Sequence, residues 1–561
     1  MKIINFNVYK LERLNMFNNT KLPSIVNLQI NNKVMLAISL SIGLSANFSM
    51  AHADERESLE QLRATTNNLI ELLVQEGVLN KDKADAIVKK ASQVAAKQMK
   101  QAQTEKVLDE NTTLDEKSIR VQYVPEHIKN EMREEIKKDV MAKLNYKAGE
   151  RLGLPSWLDR ISFYGDMRLR FENNAFGDGN DVAGQYAIVN RYTDIKNTTE
   201  DRNRLRIRGR LGADIKVNDW LTGGLRMTTG QLTSPVSPNQ TQQVSEGKYV
   251  FGLDRAYLKA TPTDWSMVEG GRFANPFFYT DMMFDPDLAF DGVAATFSPK
   301  INDSWSSFTT LGAFPIEEIE SSDVNKAQSK WLYSLQTGIK WQSANKSSVR
   351  LAAAYHDFRN VEGKSNPVGL NSYDATVPAF RQKGNNTFDI NSGANGATGA
   401  TSQYGLASKF ELINITGQVD LLTFDPAHVT LTGDYVQNIG FDSNEIAKRT
   451  GVSNFKKENQ GYQLRLDVGS NSFNGPASVE IKPNDWQVSL GYKRIEADAV
   501  LDGFTDSDFH LGGTDTKGWL LGANYGVDKN AWLSARYFSA DSITGKPLAI
   551  DVLLLDFNAK F

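Results

Sequence analysis

The sequence has 561 residues, a formal net charge of −4 at pH 7 and no cysteine. A charge so close to neutral argues against a nucleic-acid-binding protein, because such proteins usually carry a basic excess. The lack of cysteine excludes zinc–cysteine clusters, disulfide bonds and thiol catalysis.

A signal peptide is predicted at residues 1–53. Lys33 precedes an apolar segment at 34–46, and Ala51-His52-Ala53 is typical of a cleavage site, so cleavage is expected after Ala53. The alternative, a membrane anchor, is disfavoured because a spanning helix needs about 20 apolar residues. No later segment fits such a helix, so an exported chain that enters a membrane would do so as a barrel.

The next region, 54–150, is predicted to be helical and periplasmic. Apolar residues recur there at helical spacing, and a third helix beginning at Pro125 carries a narrow apolar stripe. The stripe consists of Ile128, Met132, Ile136, Val140 and Leu144. It indicates a small bundle or coiled coil, which could form a homo-trimer, contact peptidoglycan, or do both. Residues 151–160 are predicted to be a linker.

A transmembrane β-barrel is predicted over residues 161–561. Sixteen segments of alternating polarity, each about 9–14 residues long, are separated by turn residues, as in outer-membrane barrels. The first is Ile161–Glu172 and the last is Ala549–Phe561. The predicted fold class is therefore an all-β transmembrane barrel of sixteen antiparallel strands, preceded by a periplasmic α-helical region.

Short and long connections alternate between these segments. The connections after the second, fourth, eighth, tenth and fourteenth segments have only a few residues, whereas 173–202 and 361–409 are extended and polar. Tight periplasmic turns and long outer loops produce this alternation. Two connections, 470–484 and 542–548, depart from it.

The last segment presents one continuous apolar face. Leu553, Leu555, Phe557 and Phe561 alternate with other residues and end on an aromatic ring. This arrangement resembles the C-terminal sorting signal that the barrel-insertion machinery of the outer membrane reads.

Four long motifs resemble the Gram-negative "putative porin" family, an outer-membrane barrel with an N-terminal periplasmic helical segment. The motifs are "LIELLVQEGVLNKDKADAIVKKA" (69–91), "GGRFANPFFYTDMMFDPDLAFDGVAATF" (270–297), "SLGYKRIEADAVLDGFTDSDFHLGGTDTKGWLLGANYGV" (489–527) and "RYFSADSITGKPLAIDVLLLDFNAKF" (536–561). The resemblance covers nearly the whole mature chain. It implies a channel without identifying the solute.

A run of alternating arginines is the first candidate site. Arg204, Arg206, Arg208 and Arg210 share one face of a predicted strand, and Arg168 and Arg170 lie on the strand before it. Facing lipid, each would cost about 2–4 kcal/mol at mid-depth, so the lumen is the expected location. Unpaired, they would favour anions; paired with acidic loop residues, they would exert little field.

A loop that narrows the pore is the second candidate site. The connection 275–289 carries Asp281, Asp285 and Asp287 among several aromatic and methionine side chains. So many apolar side chains indicate a packed loop, and acidic residues facing a basic wall would set a field across the pore. The alternatives are a loop over the rim or against a neighbouring subunit.

Signs of an enzyme are weak. No histidine pair has metalloprotease spacing, and no recognisable Ser–His–Asp set is present, so no catalytic residue, metal or cofactor is predicted. The acidic segment that contains Asp506, Asp508, His510 and Asp515 is interpreted as a solvated outer loop.

The sequence thus predicts an outer-membrane porin for passive diffusion of small hydrophilic solutes or ions. One alternative is a barrel-anchored adhesin or structural protein without transport; a less favoured one is an outer-membrane enzyme. The expected partners are outer-membrane lipids, lipopolysaccharide, the barrel-insertion machinery, peptidoglycan through the helical region, and further copies in a homo-trimer, with no nucleic acid.

Overall fold

The computed structural model describes residues 157–190, 195–242, 245–392, 401–424, 427–452, 456–470, 473 and 480–561. The chain divides into two compact units, 1–125 and 126–561, and all described residues belong to the second. The predicted signal peptide and helical region, with most of the linker, lie outside the described residues.

Sixteen long strands form the wall of the described unit. They are β1 Ile161–Phe176, β2 Arg202–Lys216, β3 Leu221–Thr229, β4 Phe251–Thr263, β5 Ser266–Ala274, β6 Ala289–Phe297, β7 Trp305–Glu317, β8 Lys330–Gln342, β9 Ser348–Arg359, β10 Phe410–Phe424, β11 Ala427–Asn438, β12 Gln460–Gly469, β13 Trp486–Ile495, β14 Thr516–Asp528, β15 Ala531–Ser542 and β16 Ala549–Lys560.

The strands close into a single antiparallel barrel. Each pairs with its neighbour in sequence, and β16 pairs with β1, where Leu169 lies opposite Phe557. Closure gives every strand two partners, which leaves no open edge. The predicted sixteen-stranded barrel is confirmed, and each predicted strand overlaps an observed one.

One predicted boundary was wrong for a structural reason. The thirteenth segment was expected to continue to Val500, but β13 ends at Ile495. Residues 496–515 leave the wall at that point and pack inside the barrel. The apolar side chains that follow Ile495 continue the alternating pattern of β13, although they belong to a buried loop.

The remaining elements are short. Helices α1 (Ala183–Asn190) and α2 (Ser443–Thr450) lie in connections, as do four 3-10 turns and the strands Gln240–Thr241, Thr387–Asp389 and Tyr404–Leu406. The 3-10 turns are Leu158–Arg160, Asp374–Thr376, Asp502–Phe504 and Phe509–Leu511. Within the described part of the chain, no helix is long and apolar enough to cross a membrane.

The outer surface of the wall is apolar. Leu169, Leu351 and Leu555 are about half exposed there, whereas the residues next to each of them along its strand point inward. Tryptophans lie close to the short-turn end, namely Trp220, Trp265, Trp305 and Trp486. An apolar band bordered by aromatic side chains is typical of a barrel surface in contact with lipid.

The largest hydrophobic core lies inside the barrel. It joins residues of the loop between β5 and β6, such as Met282 and Phe284, to wall residues such as Phe314 and Phe358. Burial of apolar side chains stabilises their packed position by roughly 1.5–3 kcal/mol each. The interior is therefore partly filled by loops that pack against the wall.

Candidate functional site

The inner loop, residues 275–288 between β5 and β6, is packed inside the barrel. Phe277, Met282, Met283 and Phe284 are each less than a tenth exposed. The Phe277 ring lies 5.9 Å from the ring of Phe314 on the wall. This packing holds the loop across the interior.

Polar contacts anchor the same loop to the opposite wall. The side chain of Gln336 on β8 accepts a hydrogen bond from the Phe278 backbone N–H and donates one to its carbonyl, each at 2.7 Å. Thr280 donates a hydrogen bond to Asp434 on β11. The loop is thus clamped at its centre by two strands distant in sequence.

The three predicted acidic residues of the inner loop face three different partners. Asp287 accepts a hydrogen bond of 2.8 Å from Arg210, and Asp281 lies 3.0 Å from the Lys493 ammonium on β13. Asp285 accepts the backbone N–H of Ser507 at 3.0 Å. The carboxylates therefore tie the loop to β2, to β13 and to the connection that follows β13.

Their protonation is set by these surroundings. Burial, reinforced by the nearby carboxylates of Asp287 and Asp506, raises the pKa of Asp285 well above its ordinary value. Burial would also raise the pKa of Asp287, but the Arg208 and Arg210 guanidiniums outweigh it and lower that pKa. Lys493 lowers the pKa of Asp281 against burial in the same way.

The structure places all six predicted pore-wall arginines on the inner face of β1 and β2. The register sets Arg168 opposite Arg208, and Arg170 opposite Arg206. Like charges directly opposite across two strands repel each other. The interior must therefore supply counter-charges close to these pairs.

Carboxylates on the wall neutralise these six arginines, which we call the ladder. Glu172 binds both Arg204 and Arg206, with an Oε2 distance of 3.1 Å to Arg206. Asp166 binds Arg208 at 2.8 Å and Arg210 at 2.7 Å. The observed contacts match the alternative raised from the sequence, in which the arginines pair with acidic residues. The acidic partners lie on the wall as well as on a loop.

Arg170 is the most enclosed member of the ladder, at 1% exposure. Its Nε lies 2.7 Å from Asp556 on β16, and a terminal nitrogen lies 2.9 Å from Asp508. Arg168 donates a 3.2 Å hydrogen bond to Asn558 and lies 3.8 Å from Asp556. The ladder is thus bound to the closing strand on its other side.

A second loop enters the lumen, which sequence reasoning missed. The capping loop, residues 496–515 between β13 and β14, buries Asp506, Asp508, His510 and Asp515, each less than a tenth exposed except Asp508, whose side chain is 12% exposed. The interpretation of this segment as a solvated loop was wrong. Its alternation of aspartates with Leu501, Phe504 and Phe509 was the available signal, because exposed loops seldom carry such apolar side chains.

The capping loop contributes two carboxylates to the site. Asp508 lies 2.9 Å from both Arg170 and Arg536. These guanidiniums overcome the effect of burial and lower the pKa of Asp508 far below its ordinary value. Asp506 lies 3.7 Å from Lys493, so one ammonium bridges the capping loop and the inner loop.

The connection between β9 and β10 holds the capping loop in place through hydrogen bonds and a close backbone contact. Asn385 donates hydrogen bonds to the carbonyls of Ala497 and Val500, at 2.6 and 2.8 Å. Gly384 adopts a φ of +119°, and a Cβ there would lie 2.3 Å from the Thr514 carbonyl. Only glycine permits this close backbone approach.

Wall and loops enclose a charged cavity of about 610 Å³. Five arginines of the wall and five aspartates of the two loops share its lining: Arg168, Arg208, Arg210, Arg465 and Arg536, with Asp281, Asp285, Asp287, Asp506 and Asp508. Opposite charges on facing surfaces create a field across this space. The lining is therefore charged on both the wall side and the loop side.

A buried Ser–His pair is present but enclosed. Ser334 Oγ lies 2.8 Å from His356 Nδ1, and His356 is 1% exposed. The rings of Phe277 and Phe284 pack edge-on against the imidazole at 5.4 and 5.5 Å. These aromatic rings fill the space beside the imidazole that a substrate would need. The pair therefore forms part of the surface against which the inner loop packs.

The C-terminal residues lie where the alternation predicts. Leu555, Phe557 and Phe561 are exposed on the outer surface, at 44%, 45% and 69%. Phe561 exchanges backbone hydrogen bonds with Gly165 at 3.0 and 3.2 Å, and its ring covers that glycine. The last residue thus belongs to the seam that closes the barrel.

Several solved structures match this chain at low sequence identity. They include OprB of Pseudomonas putida at high pH (12% identity, TM-score 0.42, 72% of this chain and 95% of that chain). The outer membrane channel DcaP of Acinetobacter baumannii matches at 11% identity and a TM-score of 0.36, over 72% and 97%. Salmonella typhi OmpF in complex with daunomycin matches at 11% and 0.38, over 72% and 97%.

The sequence itself was compared with families and with curated proteins. No curated protein matched it. A family model described as "Putative porin" matches residues 63–561, which includes the whole of the barrel. The chain therefore belongs to this porin family.

Proposed function

We propose that this outer-membrane barrel is a porin through which small hydrophilic solutes or ions diffuse passively. The charged cavity between wall and loops carries the proposal. A barrel that served only as an anchor would have no need to line its interior with paired charges around open space. The two loops would set the bore, and the charges would set the preference among solutes.

Single-channel recording tests this function. Mature protein, refolded in detergent and checked for heat-modifiable migration, would be added to planar bilayers. Stepwise currents are the expected result. Folded barrels that carry no current would overturn the channel and leave the anchor or adhesin that the sequence also allowed.

We infer that the four apolar C-terminal residues act as a sorting signal for the insertion machinery. Support comes from the exposure of Leu555, Phe557 and Phe561 on one outward stripe. Phe561→Ala should lower the yield of folded barrel in the outer membrane several-fold, whereas Lys560→Ala should leave it unchanged. Equal yields for both variants would contradict the proposal.

We propose further that residues 54–150 lie in the periplasm and join three barrels into a homo-trimer. The apolar stripe of that region supports association, and both barrel ends of the chain, Ile161 and Lys560, lie at the short-turn end. Cross-linking of the full chain in outer-membrane vesicles should give trimers. Recovery of monomers alone after cross-linking would contradict the assembly.

A further inference from the structure

A second pair of lumen cations lies halfway round the barrel from the ladder. Lys340 on β8 lies directly opposite Arg350 on β9. Both belong to the inward face, because Ile339 and Leu351, next to them in sequence, are exposed on the outer surface. In a sixteen-stranded barrel, β9 is as far from β1 as a strand can be.

This pair lacks the protein counter-charges that neutralise the ladder. Among the described residues, no carboxylate lies within ion-pairing distance of Lys340 or Arg350, and neither side chain donates a hydrogen bond. Their nitrogens are not sealed from solvent. Asp420, opposite Ser348 in the next row, is engaged by Thr430 Oγ1 at 3.0 Å.

The guanidinium of Arg350 is nevertheless held in place. Its central carbon lies 4.0 Å from the ring centre of Phe278 and 4.4 Å from that of Phe308. Such contacts restrain the cation without neutralising it. Because no group among the described residues accepts a hydrogen bond from this guanidinium, its N–H groups remain available to an anion.

The pair lies beside the charged cavity. Phe278, which holds Arg350, lines that cavity, and so does Gln418, which lies opposite Arg350 on β10. The pair therefore borders the cavity that a solute would cross. Two cations at one register position repel each other unless something bridges them, and here the protein supplies no bridge.

We propose that Lys340 and Arg350 form an anion-binding subsite that takes the carboxylate of a small organic acid in transit. A carboxylate matches the edge of a guanidinium with two parallel hydrogen bonds, and a neighbouring ammonium adds a third donor. This inference rests on the proposed channel function. It adds that the channel prefers anions, because the uncompensated positive charge lies on β8 and β9.

The test compares the wild-type channel with Lys340→Gln/Arg350→Gln in a KCl gradient, with benzoate as the probe. The wild type should prefer chloride and should show benzoate-dependent current blocks that benzamide does not cause. The double variant should lose the preference and weaken the block at least about tenfold, the scale of a charge-assisted hydrogen bond. An unchanged preference and block would overturn the subsite.

Further variants separate charge from structure. Lys340→Gln alone leaves Arg350 on its rings and must still weaken the block, and Arg350→Lys should keep the chloride preference while weakening the block. Lys259→Gln/Glu269→Gln removes a lumen pair 3.8 Å apart and should change neither property. If it shifts the preference as much as the double variant, the assignment to Lys340 and Arg350 is wrong.

Two outcomes concern the ligand class and the channel itself. Inorganic phosphate can accept the same paired hydrogen bonds from a guanidinium, but it has no apolar group to pack beside Phe278 and Phe308. It should therefore block less than benzoate. An equal or stronger phosphate block would overturn the carboxylate assignment. Absence of any wild-type current would instead overturn the proposed channel, so the two failures are distinguishable.

Discussion

Two walls of this barrel carry the same local arrangement with opposite outcomes. On β1 and β2, Arg168 faces Arg208 across the strand pair; on β8 and β9, Arg350 faces Lys340. The first wall is neutralised by Asp166, by other carboxylates and by two inward loops. On the second wall, Arg350 contacts the ring of Phe278 from the inner loop and that of Phe308 on β7, and no carboxylate among the described residues pairs with Arg350 or Lys340.

The difference shows that the number of cations on a lumen wall does not set its field. Six arginines on β1 and β2 exert a reduced field because carboxylates accept their hydrogen bonds. Two cations on β8 and β9 have no such partner among the described residues. Selectivity in a pore follows the charges that remain uncompensated.

The largest effect is expected where the ladder wall is most enclosed. Arg170→Met would remove the most buried cation beside Asp508 and Asp556. Arg536 stays 2.9 Å from Asp508, whereas Asp556 keeps no guanidinium of the described residues closer than 3.7 Å. Breaking a buried ion pair in this way costs about 3–5 kcal/mol. The fraction of heat-modifiable barrel after refolding in detergent should fall sharply. Arg350→Met, which leaves no carboxylate stranded, is the matched change on the other wall and should fold nearly as well as the wild type.

Equal refolding losses for the two methionine variants would contradict the contrast between the walls. The comparison is fair because both positions exchange an inward arginine for the same side chain. Only the identity of the groups left behind differs, namely two buried carboxylates in one case and two phenyl rings in the other.

A smaller change should make the ladder wall resemble the other one. Asp287→Asn removes a carboxylate that lies 2.8 Å from Arg210 and 3.7 Å from Arg208. The reversal potential in a KCl gradient should move toward stronger chloride preference. Asp291→Asn, which affects a pair with Arg272 outside the cavity lining, is the control, and equal shifts for the two variants would contradict this account.

The smallest effect concerns pH and the loop that covers the ladder. Burial raises the pKa values of Asp498, Asp502 and Asp515 in the capping loop to about 7. A carboxyl whose pKa is raised in the folded state stabilises it fully at low pH, and this contribution is lost as the pH rises from about 4 to about 7. The capping loop should therefore be more stably packed at pH 5 than at pH 8.

Buried Lys383 acts in the opposite sense. Its pKa is lowered to about 7 by burial, so its contribution is lost as the pH falls toward 7. Only the upper edge of the range between pH 5 and pH 8 is affected. Burial lowers the pKa of His510 in the same loop well below its ordinary value, so its contribution is also lost as the pH falls. The three carboxyls outweigh this one lysine and one histidine. Hydrogen exchange, corrected for its intrinsic pH dependence, should show weaker protection of 496–515 at pH 8, with β8 unchanged. Equal protection of 496–515 at both pH values would contradict the prediction.

Most of the barrel could be predicted from the sequence because its signals are local. Alternation of polar and apolar residues along a strand follows from side chains pointing to opposite faces. Lengths between turns follow from the thickness of the bilayer that each strand crosses. The failure at Ile495 occurred where a buried loop continued the apolar pattern past the end of its strand.

The site could be predicted only in part. The inward direction of Arg208 and the apolar packing of the inner loop both followed from residue type and position. The capping loop was missed because nothing local distinguishes an aspartate that binds Arg170 across the barrel from one that faces water. Lys340 and Arg350 could not be singled out from the sequence. Their importance depends on the folded structure, in which no carboxylate of the described residues lies within ion-pairing distance of them.

The sequence by itself thus determined the barrel and the direction each strand residue faces, because these depend on periodicity within chain segments, and its long motifs indicated the family. The tertiary structure alone decided which charges are compensated. Ion pairing depends on distances of a few ångströms between groups that lie hundreds of residues apart, such as Arg170 and Asp556. Only the folded loops and the closing of the barrel bring those groups together.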